Sequence, residues 1–503
     1  MNTFSTLKSQ PIGDIFTPLP WGEFAAEQYD IFRMWMQGAT VFDPSMGEGN
    51  LPESLITCGL RHGHALKSLP VNNLFGNEIH TAYHQTALHK FRNMYQADMS
   101  KNFTNCDFFD LPKQQYDIIF SNPPWINFND LPEAVKTKLK PLFFSYGLIS
   151  SSKNLLLGGS RIDLAALFIQ RSIIDFLKNN GKAVFFAPLS LFLNDGAHKT
   201  FRNYKINDVP FMIQSIHDFD KTPVFPDILT RYCLFGCIRD AQNRFPIPYF
   251  IHEENSWKEY QSSPMFSPSD SLHICSETQA EILKGIPKFP LPKSSVPRQG
   301  INTCGANDVF IFNEYSEPDA STCLLSNKYN RNCIFPKEYI YPLASSRNFK
   351  TDSFEESKWV FLPYSQSGKP ITQEQIEQNN ILKQYLSTHR LRLVSRKGTL
   401  INTAISKGKW WSMLGVGKYC FAPYKILWEA YGRSTFNPKI FPGHWQANQS
   451  LQAFIPAETL EQAEAILAFL KDSRIQEYLS SMRMPQTMNW AQPGKIKKLF
   501  LVE

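Results

Sequence analysis

Through its first half the chain alternates short, almost wholly apolar runs with longer stretches in which apolar residues recur every three or four positions. The runs Ala39–Asp43, Leu74–Glu78, Asp117–Ser121, Ala183–Ala187, Phe211–Ile216 and Tyr232–Ile238 are β-rich and read as buried strands. Between them, Thr81–Tyr95 and Leu164–Leu177 have the length of helices. In the second, Leu164, Leu167, Phe168 and Ile174 fall on one helical face, and Asn180-Gly181 supplies a stop signal. This alternation predicts an α/β fold, a mostly parallel sheet with helices on both faces. Ligands then bind beyond the carboxyl ends of the strands, where the strand order reverses.

The pattern changes near residue 245. The run Ile286-Pro287-Lys288-Phe289-Pro290-Leu291-Pro292-Lys293 is Pro-rich and reads as a linker or strap. Beyond it the pattern becomes irregular and aromatic, with clear helices only at Leu460–Leu470 and Ile475–Met482. The expected division is residues 1–245 as the α/β domain, 246–297 as linker or strap, and 298–503 as a second, mixed α+β domain. A length of 503 residues suits two or three domains.

Charge separates the halves further. Residues 1–245 hold 23 basic and 22 acidic residues, whereas 298–503 hold 25 and 17. Between Lys383 and Lys439 there are eleven Lys or Arg and one acid, Glu429, interleaved with Trp410, Trp411, Tyr419, Tyr424, Trp428 and Tyr431. Cations that neutralise phosphates, mixed with flat rings, suit a nucleic-acid groove. Arg390, Arg392, Arg396, Lys397, Lys407, Lys409 and Trp410 are the candidate contacts. No apolar run reaches 18 residues and the N-terminus has no apolar signal core, so neither a membrane span nor export is expected, and a cytoplasmic location is. The nine cysteines are scattered without a C-x-x-C pair, so no metal site is expected.

Three elements point to a nucleoside cofactor. Val41-Phe42-Asp43-Pro44-Ser45-Met46-Gly47-Glu48-Gly49-Asn50 is a strand running into a tight G-x-G turn, where glycines let the backbone approach a ligand. Leu74–Glu78 ends a strand on an acid able to accept from two ribose hydroxyls. Asn105-Cys106-Asp107-Phe108-Phe109 offers an acid and two rings to an adenine amine and its face. No P-loop lysine follows the glycines, which argues against a nucleotide triphosphatase.

The most specific motif is Ser121-Asn122-Pro123-Pro124-Trp125 at a strand end. Two consecutive prolines remove two backbone donors and leave an acceptor-rich surface. Such a surface holds an –NH₂ group by accepting its hydrogens, and Trp125 can stack on the base. An amine inside a duplex must first be turned out of the stack. Phe225, in Val224-Phe225-Pro226-Asp227, is the candidate second ring.

Together these motifs resemble the gamma-class, TaqI-like adenine-N6 DNA methyltransferases of restriction-modification systems. The resemblance implies a Rossmann-like S-adenosylmethionine-dependent methyltransferase domain followed by a C-terminal target-recognition domain. Gly13-Asp14-Ile15-Phe16-Thr17-Pro18 resembles the family's N-terminal cofactor motif, with Thr17 near the methionine carboxylate. Asp43, Pro44, Gly47 and Gly49 match its cofactor loop, Glu78 its ribose acid, and Asp107 with Phe108 its adenine contact. Asn122, Pro123, Pro124 and Trp125 match the catalytic tetrapeptide, and Phe225 the base-stacking position. Asp163–Phe168 is similar to the helix motif that follows, and Gly300–Phe310 to the opening of the recognition domain. The implied partner is double-stranded DNA, bound by a monomer. With the cofactor motif starting at Gly13, no room for a cleavage domain precedes it, and a separate restriction endonuclease or defence partner is the expectation. An RNA adenine methyltransferase and a catalytically silent DNA-binding specificity subunit are the alternatives.

Overall fold

The structure is a computed structural model. It describes residues 15–149, 162–194, 196, 198–220, 222–225, 228, 230–283, 285–286, 288–351, 354–432, 435–482 and 490–503. The chain divides into two compact units, Met1–Glu277 and Thr278–Glu503.

The first unit is built on one eleven-stranded sheet. Its strands are β1 (Val41–Asp43), β2 (Leu74–Asn77), β3 (Phe103–Thr104), β4 (Tyr116–Ser121), β5 (Leu177–Pro188), β6 (Lys205–Ile206), β7 (Val209–Asp218), β8 (Tyr232–Arg239), β9 (Ile247–Glu253), β10 (Ser256–Pro264) and β11 (Leu272–Cys275). The order is β11-β10-β9-β7-β8-β5-β4-β1-β2-β3, with β6 paired to β7. All six expected runs are strands. β1 and β4 lie at the centre, Val41 opposite Ile118 and Phe42 opposite Ile119, all buried. Burial on both faces is why these runs are continuously apolar.

The expectation of a mostly parallel sheet holds from β3 to β5, and beyond that stretch only β7 and β9 pair in parallel. β8 pairs antiparallel with both β5 and β7, and β10 pairs antiparallel with β9 and β11. The β9–β10 turn is the pair Glu254-Asn255, both at positive φ, the geometry of a tight hairpin rather than of a crossover. The expected helix Leu164–Leu177 also ends early. It is α-helical over Leu164–Arg171 and widens to a π-turn at Ser172–Phe176, and β5 begins at Leu177.

Residues 246–297 are not a linker as expected. Their first thirty residues extend the sheet as β9, β10 and β11, with Ile247, Tyr249 and Leu272 buried. The boundary between units therefore falls at 277/278. Strand-like burial here is carried by few apolar residues, so composition alone hides it.

Helices α1 (Leu19–Gln28), α2 (Ile31–Met36), α3 (Asn50–Arg61), α4 (Thr81–Tyr95), α5 (Glu133–Ser145) and α6 (Leu164–Arg171) complete the frame that positions the site. Gly49 caps the start of α3, and its φ of 81° closes the turn after β1. A Cβ on Gly49 would lie 3.1 Å from the Phe91 ring on α4.

The second unit is mixed α+β. A four-stranded antiparallel sheet runs in the order Arg298–Gln299, Gln452–Ala457, Tyr424–Glu429, Lys439–Pro442. Two three-stranded sheets and the helices Asn380–Val394, Thr399–Ser406, Leu460–Leu470 and Ser473–Ser481 surround it. Among the described residues no helix is long and apolar enough to cross a membrane.

Candidate active site

At the carboxyl ends of β1, β2 and β4 a cavity of about 320 Å³ opens. Its wall includes Thr17, Asp43, Pro44, Gly47, Glu78, Asp107, Phe108, Asn122 and Pro124, residues singled out from five separate segments of sequence. Gly49, Pro123, Trp125 and Phe225 do not line it. Gly13 and Asp14 of the N-terminal motif, Pro226 and Asp227 beside Phe225, and the Gly- and Ser-rich stretch 150–160 lie outside the described residues.

The acids hold the loop together. Glu78 accepts from the Gly47 N–H at 2.9 Å through Oε2 and from the His80 N–H at 2.7 Å through Oε1. Gly47 has φ +54°, and a Cβ there would stand 2.7 Å from the Phe16 ring. A side chain would therefore displace the segment that carries Thr17. Asp43 is 2% exposed and accepts from Ser121 Oγ at 2.7 Å and the Ser45 N–H at 3.1 Å. Burial pushes its carboxyl up to about 7. Ser45 Oγ also donates to the Asn122 carbonyl at 3.0 Å, tying the cofactor loop to the Asn-Pro-Pro turn.

Asn122 is 9% exposed. Its Nδ2 donates to the Ile15 carbonyl at 3.0 Å and to Thr17 Oγ1 at 3.2 Å. A carbonyl only accepts, so these partners fix which end of the amide is NH₂. The other end, Oδ1, is buried and has no hydrogen-bond partner among the described residues. A buried acceptor with nothing to accept is costly in a folded protein. Thr17, expected at the methionine end of a cofactor, is thus also the residue that orients the Asn122 amide.

At the other end of the cavity, Asp107 caps the Phe109 N–H at 2.9 Å through Oδ1, while Oδ2 meets Lys138 Nζ at 2.7 Å. Lys138, on α5, also reaches Asp110 at 2.8 Å. The Phe108 ring stacks on Phe168 with centroids 4.0 Å apart, and the Arg171 guanidinium lies 4.9 Å from its centre. Lys138, Leu139, His80 and Tyr83 line the cavity and were missed in the sequence. The signal for His80 and Tyr83 was their place at the start of the helix after Glu78. Lys138 had none, because α5 reaches the site only through the fold.

The structure brings Trp125 and Phe225 together edge to face, centroids 5.2 Å apart at 90°. Phe225 is 4% exposed and Trp125 Nε1 donates to the Phe186 carbonyl at 3.4 Å. A base held between two rings needs parallel faces with room for a third ring, so this pair is in a closed arrangement.

In the second unit the seven candidate contacts separate into two groups. Arg396 is 4% exposed, and its guanidinium donates to the carbonyls of Leu393, Thr303, Ser412 and Trp410 at 2.6–3.1 Å. With its donors spent on main-chain carbonyls, Arg396 is corrected from a nucleic-acid contact to a structural tie. Trp410 is likewise buried, packed edge to face on Trp411, and is corrected to a core residue. Lys397, Lys407 and Lys409 are exposed. Arg390 rests 5.6 Å from the Trp410 ring centre, and Arg392 pairs with Asp308 at 3.2 Å.

The strand order β3-β2-β1-β4-β5-β8-β7, with the cavity at its carboxyl edge, is an α/β arrangement of the class that the resemblance implied. Residues 32–225 match the family model described as Eco57I restriction-modification methylase. The solved structure of the Type IIL restriction-modification enzyme MmeI in complex with DNA is similar over 94% of this chain and 64% of that one, with 12% identity and a TM-score of 0.56. The Type IIG restriction endonuclease BpuSI aligns over 96% of this chain and 58% of that one, with 13% identity and a TM-score of 0.40. The chain thus spans less than two thirds of the length of either enzyme. No curated protein sequence matches it. S-adenosylmethionine is the cofactor implied by this fold and by the matched methylase segment. The residues present fit it: an acid at Glu78 in the cavity wall, a side-chain-free approach at Gly47, and apolar walls at Phe108 and Leu139.

Proposed function

We propose that the chain is a site-specific DNA methyltransferase that methylates the exocyclic N6 amine of an adenine turned out of the duplex. The observation that carries this reading is the buried, unpartnered Oδ1 of Asn122 in the wall of the cofactor cavity. S-adenosylmethionine, when bound, supplies a methyl group on a positively charged sulfur.

Thr17, Asp43, Gly47, Glu78, Asp107 and Phe108 hold the cofactor. Asn122 Oδ1 accepts one hydrogen of a planar amine, and a main-chain carbonyl of the Pro123-Pro124 turn accepts the other. Accepting both hydrogens localises the nitrogen lone pair for attack. No strong base is required before transfer, because the proton leaves the nitrogen once it has become cationic. Trp125 and Phe225 receive the base after one ring rotates from the closed edge-to-face pair. Lys397, Lys407 and Lys409 neutralise phosphates, which supports nucleic acid as the substrate.

The test is modification-sensitive sequencing of DNA from cells expressing the chain, beside cells expressing Asn122→Ala. The expected result is N6-methyladenine at one recurring sequence with the wild type and none with the variant. Methylation of RNA alone, of cytosine, or of nothing overturns the reading.

A further inference from the structure

The unpartnered oxygen of Asn122 depends on a line of polar contacts that begins on α4. Lys90 Nζ lies 2.7 Å from Glu53 Oε2 and donates to Asn50 Oδ1 at 2.9 Å. Tyr95 OH donates to Glu53 Oε1 at 2.7 Å. Asn50 Nδ2 donates to the Thr17 carbonyl at 3.0 Å, and Thr17 Oγ1 accepts from Asn122 Nδ2 at 3.2 Å. Glu53 is 4% exposed and the Lys90 side chain 16%. The pair is therefore held in low dielectric, where an unpaired member is costly.

The polarity of this line is set at one end. An ammonium only donates, so the Asn50 atom facing Lys90 must be its oxygen. That leaves the Asn50 NH₂ facing residue 17, whose carbonyl it grips. Residues 15–17 are then held with the Ile15 carbonyl and the Thr17 hydroxyl toward Asn122, both of which take its NH₂. We infer that Lys90 and Asn50 are positioning residues: the lysine charge fixes the Asn50 amide, and through the 15–17 segment it makes Asn122 present its oxygen, not its NH₂, to the amine. This inference rests on the reading of Asn122 as the group that grips an amine. Neither residue touches the reacting atoms. Without Lys90 the Asn50 amide is free to turn, the 15–17 segment loses its anchor, and a turned Asn122 would meet an amine donor to donor.

The experiment uses the full chain labelled with ¹⁵N-asparagine, the Asn122 side-chain signal being assigned by its loss in Asn122→Ala. Glu53→Gln/Lys90→Met leaves no unpaired buried charge, and Asn50→Leu cuts the line at its middle without touching the ion pair. Three quantities are read: hydrogen exchange of the Asn122 side-chain NH₂, S-adenosylmethionine affinity by calorimetry, and the single-turnover rate of methyl transfer. In either variant, exchange should be about 10-fold faster and transfer about 10-fold slower, with affinity within about 3-fold, the scale of one lost buried hydrogen bond. Combining the variants should add little, since both cut one line. Lys90→Arg, which keeps the charge, should restore most of the rate. Unchanged Asn122 exchange in a folded variant, rate and affinity falling together, or additive effects would overturn the inference. If the wild type transfers no methyl group, the proposed function falls, while the exchange measurement still decides the positioning role.

Discussion

Asn122 in the first unit and Arg396 in the second are both polar, both buried, and both recognisable in the sequence as candidates for chemistry. They differ in what remains after the fold has used them. Arg396 gives four of its five N–H donors to main-chain carbonyls and is 4% exposed, which leaves little for a ligand. Asn122 gives both amide hydrogens to the 15–17 segment and keeps a buried oxygen with no partner. Burial alone does not separate a tie from a reactive group. An unfilled acceptor does so only together with its place, for Gln170 and Gln214 also keep buried oxygens without a partner among the described residues, whereas Asn122 stands in the cavity wall.

That contrast can be broken by substitution. Asn122→Ala should lower single-turnover methyl transfer by about 1000-fold, the upper range for loss of one preorganised polar group, with cofactor affinity nearly unchanged by calorimetry. Comparable loss of cofactor binding would place Asn122 among the ties. Arg396→Ala should do the opposite. It strands four carbonyls and should destabilise the second unit by about 3 kcal/mol in a urea melt, while cofactor binding to the first unit is retained.

Asp43 lies between these extremes, buried and yet titratable. Its carboxyl is raised from 3.8 to about 7. A raised folded value means that its contribution to stability is complete below about pH 4 and is lost as pH climbs through 7. Asp43→Asn should remove a decline of about 4 kcal/mol between pH 4 and 8, measured as the difference between wild-type and variant urea midpoints. A parallel pH dependence in the two proteins would show that Asp43 ionises freely. The smallest effect is expected from Lys397→Ala/Lys407→Ala/Lys409→Ala. DNA affinity should fall about 10-fold, and the slope of log affinity against log salt should flatten by up to about 3. An unchanged slope would mean that these exposed cations face solvent only.

Much of the first unit was legible because its signals are local. Six apolar runs became six strands, and Thr81–Tyr95 is a helix at the expected bounds. Nine of the residues singled out converge on one cavity, since motifs at strand ends are carried to one edge by parallel pairing. The contacts made across the chain were not legible. Nothing near Thr17 announces Asn122, and nothing near Lys138 announces Asp107. In the second unit, basic and aromatic enrichment between Lys383 and Lys439 was read as surface. Trp410, Trp411 and Trp428 are core, and Arg396 and Lys425 are buried among carbonyls. Composition reports which side chains are present, and only packing decides which of them water can reach.

The place of β8 gives the sheet a further consequence. The segment matched by the methylase family model ends at residue 225, whereas β8 spans Tyr232–Arg239 and lies between β5 and β7. The Tyr29 ring, ahead of the matched segment, covers Gly236, where a Cβ would stand 2.4 Å from it. The matched stretch is therefore not a physical object that could stand by itself, for its sheet would have a missing slat between two neighbours. β8 follows both of its neighbours in the chain, so the gap between them closes only after Arg239 has been made. Tyr29, made earlier, gains its seat on Gly236 only then.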